Sequence, residues 1–487
     1  MTCTGELGGA MTEALFAFVK RDCATCEMVV PVLEQIRAAD PSITIVTQDD
    51  PTFPAIDGVT HDESLELSWR SNIETVPTLV RLVDGSETDR TVGWHRQQWE
   101  SFTGIAGLGP ALADQRPGCG SMSVDPDRVD QLNAKFGGGQ TKSRKIEFAE
   151  LEDEFEAMFD RGWSDGLPLV PPTEARVAKM LSGTTRSPED FVAIAPPNLV
   201  PLTVEKIAIN AVMAGCRPEY LPVVIAAIEA VCTEEFNMHG LLCTTMPNGP
   251  VFVVNGPIRN AIGMNAKGNV LGQGNRANST IGRAVQLIIR NVGGGLPGEI
   301  DRATHGSPAK LGLCFPEDEE GSPWEPLSVD RGFDVGVSTI TAFAGEAPRV
   351  IFDQLTRAPG ALVKSLAEHL RTVVSPRLAM AFDAILVLSP EHMNRFIEAG
   401  WTKAQFREAL DAELELDADP MLRGAGGIAE GIPEGFAGIK VPKFDNNGPG
   451  GLLVVHAGGD AGLFSSVIGG WVNNNMGSTP VTKEIKP

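Results

Sequence analysis

Tyrosine is almost missing from this chain, with one in 487 residues, and tryptophan is scarce at seven. Positive charge is also in short supply: 40 Lys and Arg stand against 63 Asp and Glu, a formal net charge of -23. Nucleic acid and anionic membrane surfaces both require a cationic face, so this deficit argues against either as a partner. The only short basic cluster, Gln140 to Lys145, reads as a solvated linker. No apolar run approaches the roughly 18 residues of a spanning helix. The start of the chain lacks a charged residue cluster followed by a sustained apolar stretch, so no secretory leader is expected. The resulting expectation is a cytoplasmic protein, in a compartment where thiols stay reduced. Eight cysteines in so long a chain do not make a disulfide scaffold, and most are expected to be small buried apolar residues. No repeat with a period of about 20–50 residues stands out.

Glycine and proline, by contrast, are plentiful at 53 and 35, which implies many tight turns between short elements. The length favours several domains. From the start, Ala14 to Lys20 reads as an apolar strand, followed by Arg21-Asp22-Cys23-Ala24-Thr25-Cys26. Met28, Val29, Val32, Leu33 and Ile36 then recur at helical spacing, which places Cys26 in the first turn of a helix. Strands are expected at Ile43 to Thr47 and from Val76-Pro77-Thr78 onward, and a short helix at Ser64 to Ser71. A hairpin turn at Asp84-Gly85 leads to Thr91-Val92-Gly93, and a closing helix begins near Gln97. A thiolate at a helix start is stabilised by free backbone N–H groups, so Cys23 is the expected nucleophile and Cys26 the resolving thiol. The competing readings are a zinc half-site or two inert core thiols.

This order of elements resembles the thioredoxin fold over roughly residues 12 to 105. The resemblance implies that Pro77 is a cis proline lying against the dithiol. Two departures are evident: the dithiol lacks a preceding Trp and an internal Pro, and Asp49 to His61 looks inserted. Residues 1–105 are therefore read as a thioredoxin-like domain, 106–145 as a Gly/Pro-rich linker, and 146–487 as a large α/β region, either one doubly wound domain or two subdomains. The linker carries Cys119 between two glycines, followed by Ser121. Cys119-Gly120-Ser121 looks like the motif of UGSC-type proteins, in which selenocysteine can stand first. The region from Gly162 onward is similar to uncharacterised bacterial proteins associated with that type, and this likeness implies no assigned activity.

In the large region a helix is expected at Phe148 to Asp160 and others at Val204 to Gly215 and Leu221 to Cys232. Strands are expected at Val251 to Val254, Leu311 to Cys314, Ser338 to Phe343, Ala384 to Leu388 and Leu452 to Val455. Asn255-Gly256-Pro257-Ile258-Arg259 follows an apolar strand, and the Gly-rich stretch from Gly272 to Arg283 enters a helix. Such turns offer N–H donors to anions, so Asn255, Arg259, Asn275, Arg276 and Asn278 are candidates for holding a carboxylate or phosphate. Gly272 to Arg276 matches neither a dinucleotide fingerprint nor a P-loop, and no cofactor is expected. His456, Gly458 and Gly459 follow the last apolar strand, where open α/β sheets place ligand-contacting residues, and His392 follows the one before. His239 and Cys243, with Cys232 nearby, have metal-compatible spacing only if the stretch is helical, and no further ligand completes a set.

The leading functional expectation is a thiol-dependent oxidoreductase. A small anionic substrate would be bound by the large domain, an adduct or disulfide would form at Cys119, and Cys23 and Cys26 would reduce it with a protein thiol as reductant. Two alternatives stand beside it. One is a hydrolase or lyase using His456 or His392 as general base, with the thioredoxin-like part for recruitment. The other is a cysteine-based metal or sulfur binding protein. A homo-oligomer is compatible with all three.

Overall fold

The computed structural model describes residues 13–125 and 153–487, together with residues 128, 132, 136 and 143. The expected helix at Phe148 to Asp160 falls partly outside these residues; its described part is Glu154–Asp160. The chain divides into two compact units, Met1–Lys142 and Ser143–Pro487.

The first unit is built on a five-stranded mixed sheet. Its strands are β1 (Glu13–Val19), β2 (Thr44–Thr47), β3 (Thr60–His61), β5 (Thr78–Val83) and β6 (Ser86–Val92), in the order β3-β2-β1-β5-β6. β1 runs parallel to β2 and antiparallel to β5. Asp84 and Gly85, both with positive φ, form the two-residue hairpin between β5 and β6, as that tight turn demands. The helical stretch after Cys23 is two pieces, α1 (Ala24–Met28) and α2 (Val30–Ala39), meeting at Val29, with Pro31 in the first turn of α2. Val32, Leu33 and Ile36 of α2 pack on Ala17, Phe18 and Val19 in one core. The short helix α3 (Glu66–Arg70) precedes a two-residue strand, β4 (Thr75–Val76). β7 (Trp94–His95) leads into α4 (Arg96–Thr103), where Trp94 and Trp99 stack edge to face, 5.1 Å between centroids. Two further short strands follow, β8 (Gln115–Arg116) and β9 (Cys119–Gly120).

The second unit opens with α5 (Glu154–Asp160), α6 (Glu174–Leu181), the hairpin β10 (Phe191–Ala195) and β11 (Val200–Thr203), α7 (Val204–Ala214), α8 (Leu221–Val231) and α9 (Met238–Cys243). Then β12 (Gly249–Asn255), α10 (Arg276–Asn291), β13 (Leu313–Pro316) and β14 (Thr339–Gly345) make one half of a sheet. After β15 (Arg349–Phe352), the elements α11 (Pro359–Leu370), β16 (Phe382–Leu388), α12 (Pro390–Glu398), α13 (Lys403–Glu413), a small hairpin of β17 (Glu415–Asp417) and β18 (Lys440–Pro442), β19 (Leu452–His456) and β20 (Phe464–Val472) make the other half. β21 (Val481–Glu484) closes the chain against β14.

The strand order is β13-β12-β14-β20-β16-β19. Each half has a parallel pair (β12 with β13, β16 with β19) and one antiparallel return strand (β14, β20). The α/β class holds, and the sheet mixes parallel and antiparallel strands, where the alternation of strands and helices had left a doubly wound arrangement open. Apolar strands such as 251–254 and 384–388 read alike in either direction, so the sequence is silent on their sense. The halves join at a single residue pair, Gly345 with Gly470. A Cβ on Gly470 would lie 2.7 Å from Asp383 O, and one on Gly345 would lie 2.9 Å from Ile468, so glycine permits this close approach. At the opposite edges, Asp318 N–H donates to His456 O at 2.7 Å, drawing β13 and β19 together. Alternation then sorts the side chains. Val251, Val253, Phe315, Phe343, Ile385, Val387, Leu453, Val455 and Ile468 fill an inner core. Phe252, Val254 and Ala342 face α7, α8 and α10, while Ala384, Leu386 and Val454 face α11 to α13.

Candidate active site: a covered dithiol

Cys23 caps α1 from an extended conformation, and its sulfur accepts the N–H of Cys26 at 3.3 Å. The approach to the helix is fixed by the Asp49 carboxylate, which accepts from the N–H groups of Arg21 (2.7 Å) and Asp22 (2.9 Å). Asp49 begins the stretch that looked inserted in the sequence, and here it orders the turn carrying the dithiol. The Val76–Pro77 peptide bond is cis, and Val76 O faces the Cys23 sulfur at 3.5 Å.

The two thiols differ sharply. Cys23 is held down at a pKa of about 5, first by the Cys26 thiol donating towards it, then by the Cys119 thiol and the N–H groups of Cys26 and Thr25, with burial opposing. Burial, followed by the neighbouring Cys23 sulfur, pushes Cys26 far above the ordinary thiol range. At neutral pH the pair is a thiolate beside a thiol, the division of roles that nucleophile and resolving cysteine require.

Residues 115–124 of the segment expected as a linker are part of this site, and most of its remainder from 126 on lies outside the described residues. β9 pairs antiparallel with β4, Cys119 opposite Val76 and Gly120 opposite Thr75. β8 pairs with β7, Trp94 opposite Arg116. Thr25 Oγ1 donates to Pro117 O at 2.7 Å, and Ser121 N–H donates to Glu74 O at 2.9 Å. Buried Gln48 then ties the segment down: its Nε2 donates to Ser121 Oγ at 2.7 Å and its Oε1 accepts from Met122 N–H at 3.0 Å. Gly118 fits only because it lacks a side chain, since a Cβ there would sit 2.4 Å from Thr75 Cγ2 and 2.6 Å from Val76 O. Under this cover Cys23 is 4% exposed. Cys119, half-buried, packs against the same core as Cys23, and its own pKa is raised by its interaction with Cys23 and by burial. Gln48, Thr25 and Gly118 carried no signal of this role, because their partners lie tens of residues away.

The candidates in the larger unit fall into two places. His456, Gly458, Gly459, Asn255 and Arg259 gather where β13 and β19 meet. Arg259, 3% exposed, donates to Gly256 O and Glu317 O and pairs with Glu319 and Glu320 at 3.1 Å each. Asn255 Nδ2 donates to Glu317 (2.7 Å) and Glu319 (3.0 Å). These two side chains are thus committed to carboxylates of the 317–320 turn rather than turned to an incoming anion. His456 is 2% exposed, with Nδ1 against Leu388 O at 3.0 Å and Nε2 3.6 Å from Asp318, which Lys267 engages at 2.5 Å. Burial holds the His456 imidazole below its usual pKa, with Asp318 opposing. Gly458 N–H donates to Ala266 O and Gly459 lies against Gly268, so both glycines seat the loop that brings Lys267. His392 is fully enclosed, with both ring nitrogens engaged by Ser465 Oγ and Asp353 O.

At the start of α10, Asn275 caps the helix by accepting from Asn278 N–H at 3.1 Å, and buried Asn278 bonds to the backbone of Asn265. Arg276 alone of this group points into a cavity, described below. His239 and Cys243 do share a helix, α9, and among the described residues no cluster of three or more His, Cys, Asp or Glu gathers as a metal site would.

A dithiol at the junction of β1 and α1, with a cis proline and a mixed sheet in the order found here, defines a thiol–disulfide oxidoreductase of the thioredoxin class. Relatives say the same. The chain is 32% identical over 79 residues to thioredoxin of Chlamydia trachomatis and likewise to that of Chlamydia muridarum, covering 67% of each relative and 16% of this chain. Through this stretch the chain belongs to the thioredoxin family. Among solved structures, StoA from Bacillus subtilis matches at 18% identity over 20% of this chain and 85% of its own, TM-score 0.16. Thioredoxin O2 from Arabidopsis thaliana in its oxidised state matches at 22% identity, covering 19% of this chain and 74% of its own, TM-score 0.15. No protein-family model matches the chain.

Proposed function

We propose that the dithiol serves Cys119, reducing the mixed disulfide that Cys119 forms by exchange with the disulfide of a small anionic substrate. One observation carries this reading: Cys119 is held in strand register with Val76, the residue whose carbonyl faces the Cys23 sulfur at 3.5 Å. The Cys23 thiolate attacks Cys119 Sγ in the Cys119–substrate disulfide. The substrate sulfur leaves with the electron pair of the broken S–S bond and takes up a proton, and a Cys23–Cys119 disulfide forms. Cys26, as it loses its proton, attacks Cys23 Sγ; Cys119 is released as a thiolate and Cys23–Cys26 becomes the oxidised pair. Two electrons have passed from the dithiol to the substrate disulfide, and an external dithiol restores the pair. The chemistry requires a compartment that supplies such a reductant, which suits the cytoplasm. The likeness of Cys119-Gly120-Ser121 to the UGSC motif supports a reactive chalcogen at this position.

The test is a trapping experiment. In Cys26→Ser the second exchange is blocked, so oxidation of the reduced full chain with oxidised glutathione should accumulate a Cys23–Cys119 crosslink, identified by mass spectrometry of a non-reducing digest. Peptides joining Cys23 to glutathione, with Cys119 left as a free thiol, would overturn the proposal.

A further inference from the structure

In a chain with so large a surplus of carboxylates, basic side chains are expected to find acidic partners, and several here do. A cavity of about 460 Å3 in the larger unit gathers several that do not. Arg176 and Lys179 of α6, Arg217 in the turn after α7, and Arg276 at the first position of α10 all line it, against one carboxylate, Glu219. Among the described residues none of the three guanidinium groups forms an ion pair. Arg176 is pinned through Nη1 by Pro171 O at 2.9 Å and Arg276 through Nε by Gly215 O at 2.8 Å. Each keeps further N–H groups for a ligand.

The walls are fixed. A Cβ on Gly183, just past α6, would lie 1.9 Å from Pro218 O, so α6 is packed tightly against the turn that carries Arg217. Cys216 beside it donates to Thr280 O on α10 at 3.4 Å. The positive end of the 16-residue α10 adds to the field at Arg276. The three guanidinium groups repel one another, and the repulsion is relieved by an occupant carrying several negative charges close together; a single carboxylate would engage only one guanidinium. Val170, Met180 and Val212 give the cavity an apolar floor.

We infer that this cavity is a binding site for a small polyanion, a phosphate ester or a polycarboxylate, whose uncharged part lies on the apolar floor. The site is formed by the larger unit alone, so anion binding and thiol exchange can fail separately.

Titration calorimetry on the full chain at low ionic strength, with pyrophosphate and citrate in separate runs, tests it. Saturable one-site binding of either is expected, weakening as salt is added. Arg217→Ala, a change at an exposed side chain without intramolecular hydrogen bonds, should weaken binding about tenfold, and the triple change Arg176→Ala, Arg217→Ala and Arg276→Ala should abolish it. Arg395→Ala, on α12, should leave it unchanged. Binding of pyrophosphate alone would assign phosphate esters, and citrate alone polycarboxylates. Failure of both anions to saturate at millimolar concentration, or equal affinity in the triple variant with an unchanged circular dichroism spectrum, would overturn the site.

Discussion

The residue that decides the chemistry is Cys23, and its ionisation is open to direct measurement. Thiolate absorbance of the reduced protein should titrate with a midpoint near pH 5, and Cys23→Ser should remove that step. The folded pKa lies below the ordinary thiol value of 9.0. The thiolate interactions therefore stabilise the fold fully only above pH 9, and this contribution is lost as the pH falls through about 5. Cys119→Ala removes one donor to the thiolate and should raise the midpoint by about one unit; an unchanged midpoint would mean Cys119 does not act on Cys23. Much of this was legible beforehand. The pair Cys23 and Cys26 sits in a local pattern of strand, turn and helix that one short window contains. Arg259 shows the opposite case: its glycine-flanked setting suggested an anion clamp, but its partners Glu319 and Glu320 lie 60 and 61 positions on, and no local pattern announces them.

Among the elements, β9 is one that sequence reasoning could not find. Two residues have no period, and Arg116 to Ser121 has the composition of a loop; only the edge offered by β4 makes it a strand. Gly118 is its weak point. Gly118→Ala forces a methyl group against Thr75 and Val76 O, an overpacking cost of about 1–3 kcal/mol. The expected result is release of the strand: limited proteolysis should cleave within residues 112–124 faster than in the parent, and the Cys23 midpoint should rise as it does in Cys119→Ala. Parent-like cleavage together with a parent-like midpoint would show that the strand tolerates the change. In the larger unit β12, β13, β14, β16 and β19 were legible as apolar runs, β13 beginning two residues later than expected, whereas the return strand β20 was not among the strands expected. The helices at 204–214 and 221–231 follow from their apolar spacing and from Gly215, whose positive φ ends the first.

At the scale of the whole molecule, the sequence suggested an α/β region but not its internal correspondence, in which a parallel pair and a return strand occur twice with the same senses. That correspondence lies in strand pairing, which side-chain composition does not record. Its seam depends on Gly345 and Gly470. Gly470→Val should lower the thermal midpoint of the larger unit by several degrees, since branched carbons would meet Asp383 O and the Phe343 ring. The Cys23 titration, a property of the other unit, should not move, and a shift in both would show that the units do not unfold separately. For the dithiol itself, the pairing of β9 with β4 fixes a hierarchy of substrates. On the route proposed through Cys119, a tethered sulfur competes at an effective concentration that free thiols in solution do not reach, so selectivity would be kinetic: whatever is joined to Cys119 would be reduced first, and a foreign protein disulfide would wait until that strand lifts away.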